Sequence, residues 1–133
     1  LTQAMKPLRL QVMPTRLAIV RLAPTEPLPT AALTGSFFSI TRTPDELSLV
    51  VPVEDLLAEW QAELVWRALK VVGPLDFALT GILAGLTRPL AEAGISIFAL
   101  STFETDYLLV KEEYLASAVD VLTRQGYSVE VVT

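Results

Sequence analysis

Residues 81–106, GILAGLTRPLAEAGISIFALSTFETD, decide how the rest of the chain is read. Ile82, Leu83, Leu86, Leu90 and Ala93 recur at three- and four-residue steps, the period of an amphipathic helix. Thr80 stands where a helix cap would, and Gly94 where a helix ends on glycine. Residues 95–100 are β-rich and almost wholly apolar, which predicts a strand buried on both faces. From Ser101 the character changes to Ser-Thr-Phe-Glu-Thr-Asp, polar groups placed where that strand leaves the core. A helix start with free N–H groups and a polar strand end, in one short segment, make a candidate grip on a small zwitterion.

Downstream, residues 107–111 read as the returning strand of a hairpin. Residues 112–125 predict a second helix, with Leu115, Ala118 and Leu122 inward, Glu112 and Glu113 at its start, Arg124 at its end and Gly126 beyond. Residues 128–132 close as a strand. Upstream, residues 65–72 are a strand that breaks at Gly73-Pro74. Together, residues 65–132 are β-α-β-β-α-β, the ferredoxin-like unit of the α+β class, with an antiparallel sheet covered by both helices on one face. The Gly81/Gly85 pair predicts close helix–sheet packing, and Pro89 a kink.

The earlier half is β-rich. Residues 8–12 and 17–23 predict two strands, the first ended by Pro14, and Pro24, Pro27 and Pro29 make an extended connector. Phe38 and Ile40, then Leu47, Leu49 and Val51, alternate with polar residues on either side of Thr43-Pro44-Asp45-Glu46, a hairpin with proline where a type I turn favours it. Glu54 and Asp55 open a predicted short helix running to about residue 63. A shift of 59 positions lays Phe38 on Ile97, Ile40 on Ala99, Leu49 on Leu108, Val51 on Val110 and Leu56 on Leu115. The earlier half thus reads as a reduced copy of the later one, residues 1–64 forming one lobe and 65–133 the complete one.

Composition excludes several kinds of chemistry. The 133 residues, 52% hydrophobic and 19% charged, suffice for a core of their own. The absence of cysteine and histidine removes disulfides, thiolate nucleophiles, the usual zinc sites and histidine bases. Carboxylate-only Mg²⁺ or Ca²⁺ binding stays open to such a chain, but no EF-hand spacing is present, and no metal site and no cofactor are assigned. A net charge of −5 with ten scattered basic residues argues against nucleic acid. The first residues are interrupted by Lys6, Pro7 and Arg9, and the longest apolar run, 77–86, is too short to span a bilayer. No membrane contact is expected, and a cytoplasmic location is the default. Glu104, Glu112 and Glu113 do not assemble with a nucleophile and an orienting group, so no catalytic residue is assigned and the chain is not read as an enzyme. Trp60 and Trp66 are read as core or subunit-interface aromatics.

The stretch GILAGLTRPLAEAGISIFALSTFETDYLLVKEEYLASAVDVL resembles the ACT domains of small bacterial tandem-ACT proteins, which are related to the cytosolic CASTOR arginine sensors. Ser101-Thr102-Phe103 followed by Asp106 is its most specific part, and FFSITRTPDELSLVVP resembles the first-lobe hairpin of those bacterial proteins. The resemblance covers residues 17–132. It implies two ferredoxin-like (ACT) lobes, the first reduced, an allosteric regulatory role without catalysis, and a small ligand, usually an amino acid, held between lobes. The site it implies comprises Thr80, Gly81 and Ile82 at the helix start and Ser101, Thr102, Phe103 and Asp106 at the strand end, completed by Ser39 and Ile40 of the partner lobe. The arginine sensors carry acidic residues just before the glycine, where this chain has Ala78 and Leu79, so a guanidinium has no evident partner. The residues also admit plainer readings: residues 80–82 as an ordinary cap, residues 101–106 as a polar corner with Asp106 bonding local backbone, and the whole as an assembly domain without ligand. A symmetric homodimer is expected on either reading, because so apolar a chain exposes sheet edges and faces.

Overall fold

Strand β1 (Arg9–Leu22) serves both halves of the chain, changing partners midway along its length. It is followed by β2 (Ser39–Arg42), β3 (Leu47–Pro52), β4 (Ala62–Val71), helix α1 (Ile82–Glu92), β5 (Phe98–Ser101), β6 (Asp106–Lys111), helix α2 (Leu115–Arg124) and β7 (Ser128–Val131) in this computed structural model, which describes residues 8–72 and 81–132. Two compact units result: Leu1–Pro14 with Arg67–Thr133, and Thr15–Trp66.

In the Thr15–Trp66 unit, β1 pairs antiparallel with β3 from Leu17↔Pro52 to Leu22↔Leu47, and β3 pairs with β2. Alternation places Ala18, Val20, Leu47, Leu49 and Val51 in one buried cluster, as the period-2 pattern requires. The helix expected over residues 54–63 does not form. Val53–Asp55 makes a single 3-10 turn, the Trp60 N–H donates to Leu57 O at 3.1 Å, and β4 has begun by Ala62. The acids suit a helix start, but Val53, Leu56 and Trp60 pack against the strand cluster, and so short a segment cannot offset the cost of helix nucleation.

In the other unit, residues 9–12 of β1 lie between β4 and β7. The Val72 N–H donates to Arg9 O (2.9 Å), while Ser128 and Val132 donate to Leu8 O and Val12 O (3.2 and 3.0 Å) from the parallel β7 side. With β6 beside β4 and β5 beside β6, the order is β7-β1-β4-β6-β5. This is the ferredoxin-like βαββαβ unit with one strand added between its first and last. Leu86 and Leu90 of α1 and Ala118 and Leu122 of α2 bury one face against Leu10, Val12, Leu69, Val71, Leu108 and Val110. The inward residues read in α2 are those observed.

Three sequence expectations change here. Pro14 does not end a strand: it lies between Val12, the last residue paired with β7, and Leu17, the first paired with β3, so its missing N–H removes a bond from neither ladder. Residues 8–14, assigned by pattern to the 1–64 lobe, fall in the compact unit with Arg67–Thr133, because β1 supplies that unit with an interior strand. Finally, β5 starts at Phe98 and is an edge strand, with Ala99 and Ser101 exposed, rather than one buried on both faces from residue 95. Ile95 does enter the core, but as the residue after Gly94 (φ 76°), where its N–H donates to Leu90 O at 2.9 Å and closes α1. Of the Gly81/Gly85 pair only Gly85 packs closely: a Cβ there would stand 3.0 Å from Tyr127 Oη, whose burial raises the phenol pKa, whereas a Cβ at Gly81 would meet open space. No helix among the described residues is long and apolar enough to cross a membrane.

Candidate functional site

Strands β5 and β6 meet at a corner where Ser101 stands opposite Asp106. The Ser101 hydroxyl donates to Asp106 Oδ1 at 2.7 Å. Within the corner, the Thr102 N–H donates to Thr105 O (2.8 Å), and Thr102 Oγ1 both donates to that carbonyl (3.1 Å) and accepts the Thr105 N–H (3.3 Å). Phe103 projects from the tip, 83% exposed. Thr105 turns the other way: only 5% exposed, it donates its hydroxyl to Val71 O at 2.5 Å, fastening the corner to the end of β4.

The β2–β3 corner is an internal comparison. Adding 59 to the pair Ile40↔Leu49 gives Ala99↔Leu108, and the same shift lays Thr43 and Glu46 on Thr102 and Thr105. The turn is the same. The Thr43 N–H donates to Glu46 O (2.9 Å), and Thr43 Oγ1 accepts the N–H groups of Asp45 (3.1 Å) and Glu46 (3.2 Å). The flanking pair is not the same. In place of Ser101 and Asp106 stand Arg42, which donates to the carbonyls of Pro24 and Glu26, and Leu47, fully buried. The opening threonine therefore closes this turn with either flanking pair. Turn chemistry accounts for Thr102; it does not account for Asp106.

Helix α1 begins at Gly81, whose φ of 79° is left-handed and which has open space where a Cβ would stand. Among the described residues no side chain caps the helix. Ile82 turns its side chain into the core, leaving its backbone as the group that could meet a ligand. Thr80, with Ala78 and Leu79, lies outside the described residues. Ser39 and Ile40 lie on β2 in the Thr15–Trp66 unit, opposite Val50 and Leu49, with Ile40 packed on that unit's cluster. The fold thus gathers Ser101, Thr102, Phe103 and Asp106 at one corner and sets Gly81 and Ile82 at the start of α1. Thr105 escaped the sequence reading; its three-residue spacing from Thr102 was visible, but the burial of its hydroxyl was not. Arg67 escaped it too. Its guanidinium donates to Met13 O (Nη2 2.9 Å, Nε 3.2 Å) and lies 3.6 Å from Glu112, tying β4 to β1 and to the approach to α2.

Chemically, Asp106 is half-buried, acceptor-only when ionised, and has one oxygen engaged by a neutral hydroxyl. Such a carboxylate suits an ammonium donor, whose charge strengthens the bond. Among the described residues, no group of three or more acidic side chains gathers as a metal site.

A family model described as an ACT domain matches residues 61–124, and a second, of an N-terminal domain, matches residues 16–58. The crystal structure of protein Atu0741 from Agobacterium tumefaciens is similar over 96% of this chain and 95% of its own, at 35% identity and a TM-score of 0.90. The chain belongs to the ACT-domain family. This ACT protein is also 35% identical over 98 residues to the human cytosolic arginine sensor for mTORC1 subunit 1, a match covering 68% of this chain and 30% of that protein. It spans under a third of the length of that relative. The ligand-free regulatory subunit of aspartate kinase from Thermus thermophilus shares the fold, with a TM-score of 0.59 at 16% identity over 90% of this chain and 98% of its own.

Proposed function

We propose that this ACT protein is a regulatory sensor that binds a free amino acid without transforming it. The observation that carries the reading is the Ser101–Asp106 pair: a carboxylate at a corner whose twin keeps the same turn with Arg42 and Leu47 instead. Asp106 receives the ligand's α-ammonium group, and the N–H groups at Gly81 and Ile82 receive its α-carboxylate at the positive end of α1. Thr102 and Phe103 contact the rest of the ligand. The relationship to an arginine sensor supports an amino acid, and Ala78 and Leu79 direct the choice away from a guanidinium side chain. The same reading places the protein in the cytoplasm, with no cofactor and no nucleic-acid partner.

The test is a thermal-shift series on the purified protein with each common free amino acid. At a hundredfold excess over Kd, the cognate ligand is expected to stabilise by about 2.7 kcal/mol, several degrees in Tm. A flat response across the series at millimolar levels would remove the sensor reading.

Assembly is the second part of the proposal. Strands β2 and β5 each carry a neighbour on one side alone among the described strands, and open edges favour pairing. A symmetric homodimer is expected by light scattering in dilute solution. A monomer mass there would overturn it.

A further inference from the structure

We infer that Thr105 is a positioning residue for the ligand corner, a role that rests on the amino-acid site proposed above. Thr105 is the polar residue that the fold buries among those described. A buried hydroxyl is costly unless bonded, and this one donates to Val71 O, the carbonyl of the last residue of β4. The turn does not need it. At the equivalent position, the β2–β3 corner carries Glu46, whose side chain reaches towards Arg21 (3.8 Å) while the backbone closes the same hydrogen bonds.

The bond to Val71 therefore does something beyond closing the turn. Thr105 immediately precedes Asp106, and β4 is the element that precedes α1 in the chain. This bond ties the corner that carries Asp106 to β4, and the packing of Leu86 and Leu90 with Leu69 and Val71 ties α1 to the same strand, so both ends of the proposed zwitterion grip are referred to β4. An amino acid holds its ammonium and carboxylate at a set separation, so a corner free to drift binds it only in the fraction of time spent correctly placed. Thr105 raises that fraction without touching the ligand.

Thr105→Val keeps the branched shape and removes the donor; Thr105→Ser keeps the donor. Each is compared with the parent protein in two measurements: titration with the common free amino acids one at a time, and amide hydrogen exchange at Thr102 and Asp106 without ligand. The valine variant is expected to bind the best-stabilising amino acid about tenfold more weakly, as when the competent fraction falls to about a tenth. Its corner amides are expected to exchange faster. The serine variant is expected to restore both. Should the valine variant fail to fold, Thr105→Ala is read in its place. Unchanged affinity in the valine variant, or a lower Tm shared by both variants with affinity intact, would reduce Thr105 to an ordinary core contact and overturn the inference. If the parent protein binds no amino acid, the sensor reading falls separately. Exchange then decides whether Thr105 holds the corner: faster exchange with valine and not with serine sustains the latch, and unchanged exchange removes it.

Discussion

Leu10→Ala is expected to destabilise the protein by about 2–5 kcal/mol, the usual cost of emptying a fully buried leucine site. Leu10 has no exposed surface and packs in the cluster shared by α1, α2, β4 and β6. Against a typical total of about 5–15 kcal/mol, this loss is large. Its location matters more than its size. Residues 9–12 are the interior strand joining β7 to β4, so the damage is expected in the ACT unit and not in the β2–β3 hairpin. Denaturant unfolding reads the magnitude. Amide exchange reads the place, through Val72, Ser128 and Val132, whose N–H groups donate to Arg9, Leu8 and Val12 carbonyls. Wild-type protection at those amides, with loss confined to residues 39–52, would mean that the opening strand belongs with the other half.

Asp106→Asn is expected to weaken amino-acid binding ten- to a hundredfold, the loss of a charge-assisted bond of about 1.5–3 kcal/mol. Asparagine keeps the size and one acceptor oxygen for the Ser101 hydroxyl, so the corner is not expected to open. The hydrogen bonds between Thr102 and Thr105 hold the turn, as their counterparts do beside Leu47. The unliganded Tm should stay the same or rise, since a half-buried carboxylate charge no longer has to be desolvated. The opposite pattern, a stability loss of roughly 1 kcal/mol with affinity intact, is what a purely structural corner residue would show. Calorimetry with the amino acid that gives the largest thermal shift separates the two.

The two corners show how far the local sequence reaches. Thr43 and Thr102 open identical turns, and the 59-residue offset visible in the apolar pattern is the offset of the observed registers. These features are local: alternation fixes which face of a strand is buried, and a threonine hydroxyl closes a turn two or three residues away. Helix α2 was legible for the same reason, its inward face written at 3.6-residue spacing. Residues 54–63 failed because helix-start acids and apolar spacing describe a helix only if nothing nearby competes for the apolar groups. Here Val53, Leu56 and Trp60 join a cluster already built by β1 and β3.

By itself, then, the sequence determined the class of fold, the hairpins with their turns, both helices of the ACT unit, and the corner at residues 101–106 as the place where polar groups leave the core. The tertiary structure alone decided that β1 runs unbroken through Pro14, that its first residues complete a sheet whose other strands lie more than fifty residues away, and that β5 is an edge. It also decided that Thr105, and not its neighbours, turns inward to Val71. Side-chain periodicity records burial against some partner, whereas strand order depends on which distant backbone offers its N–H and C=O groups, and nothing in a local pattern names that partner.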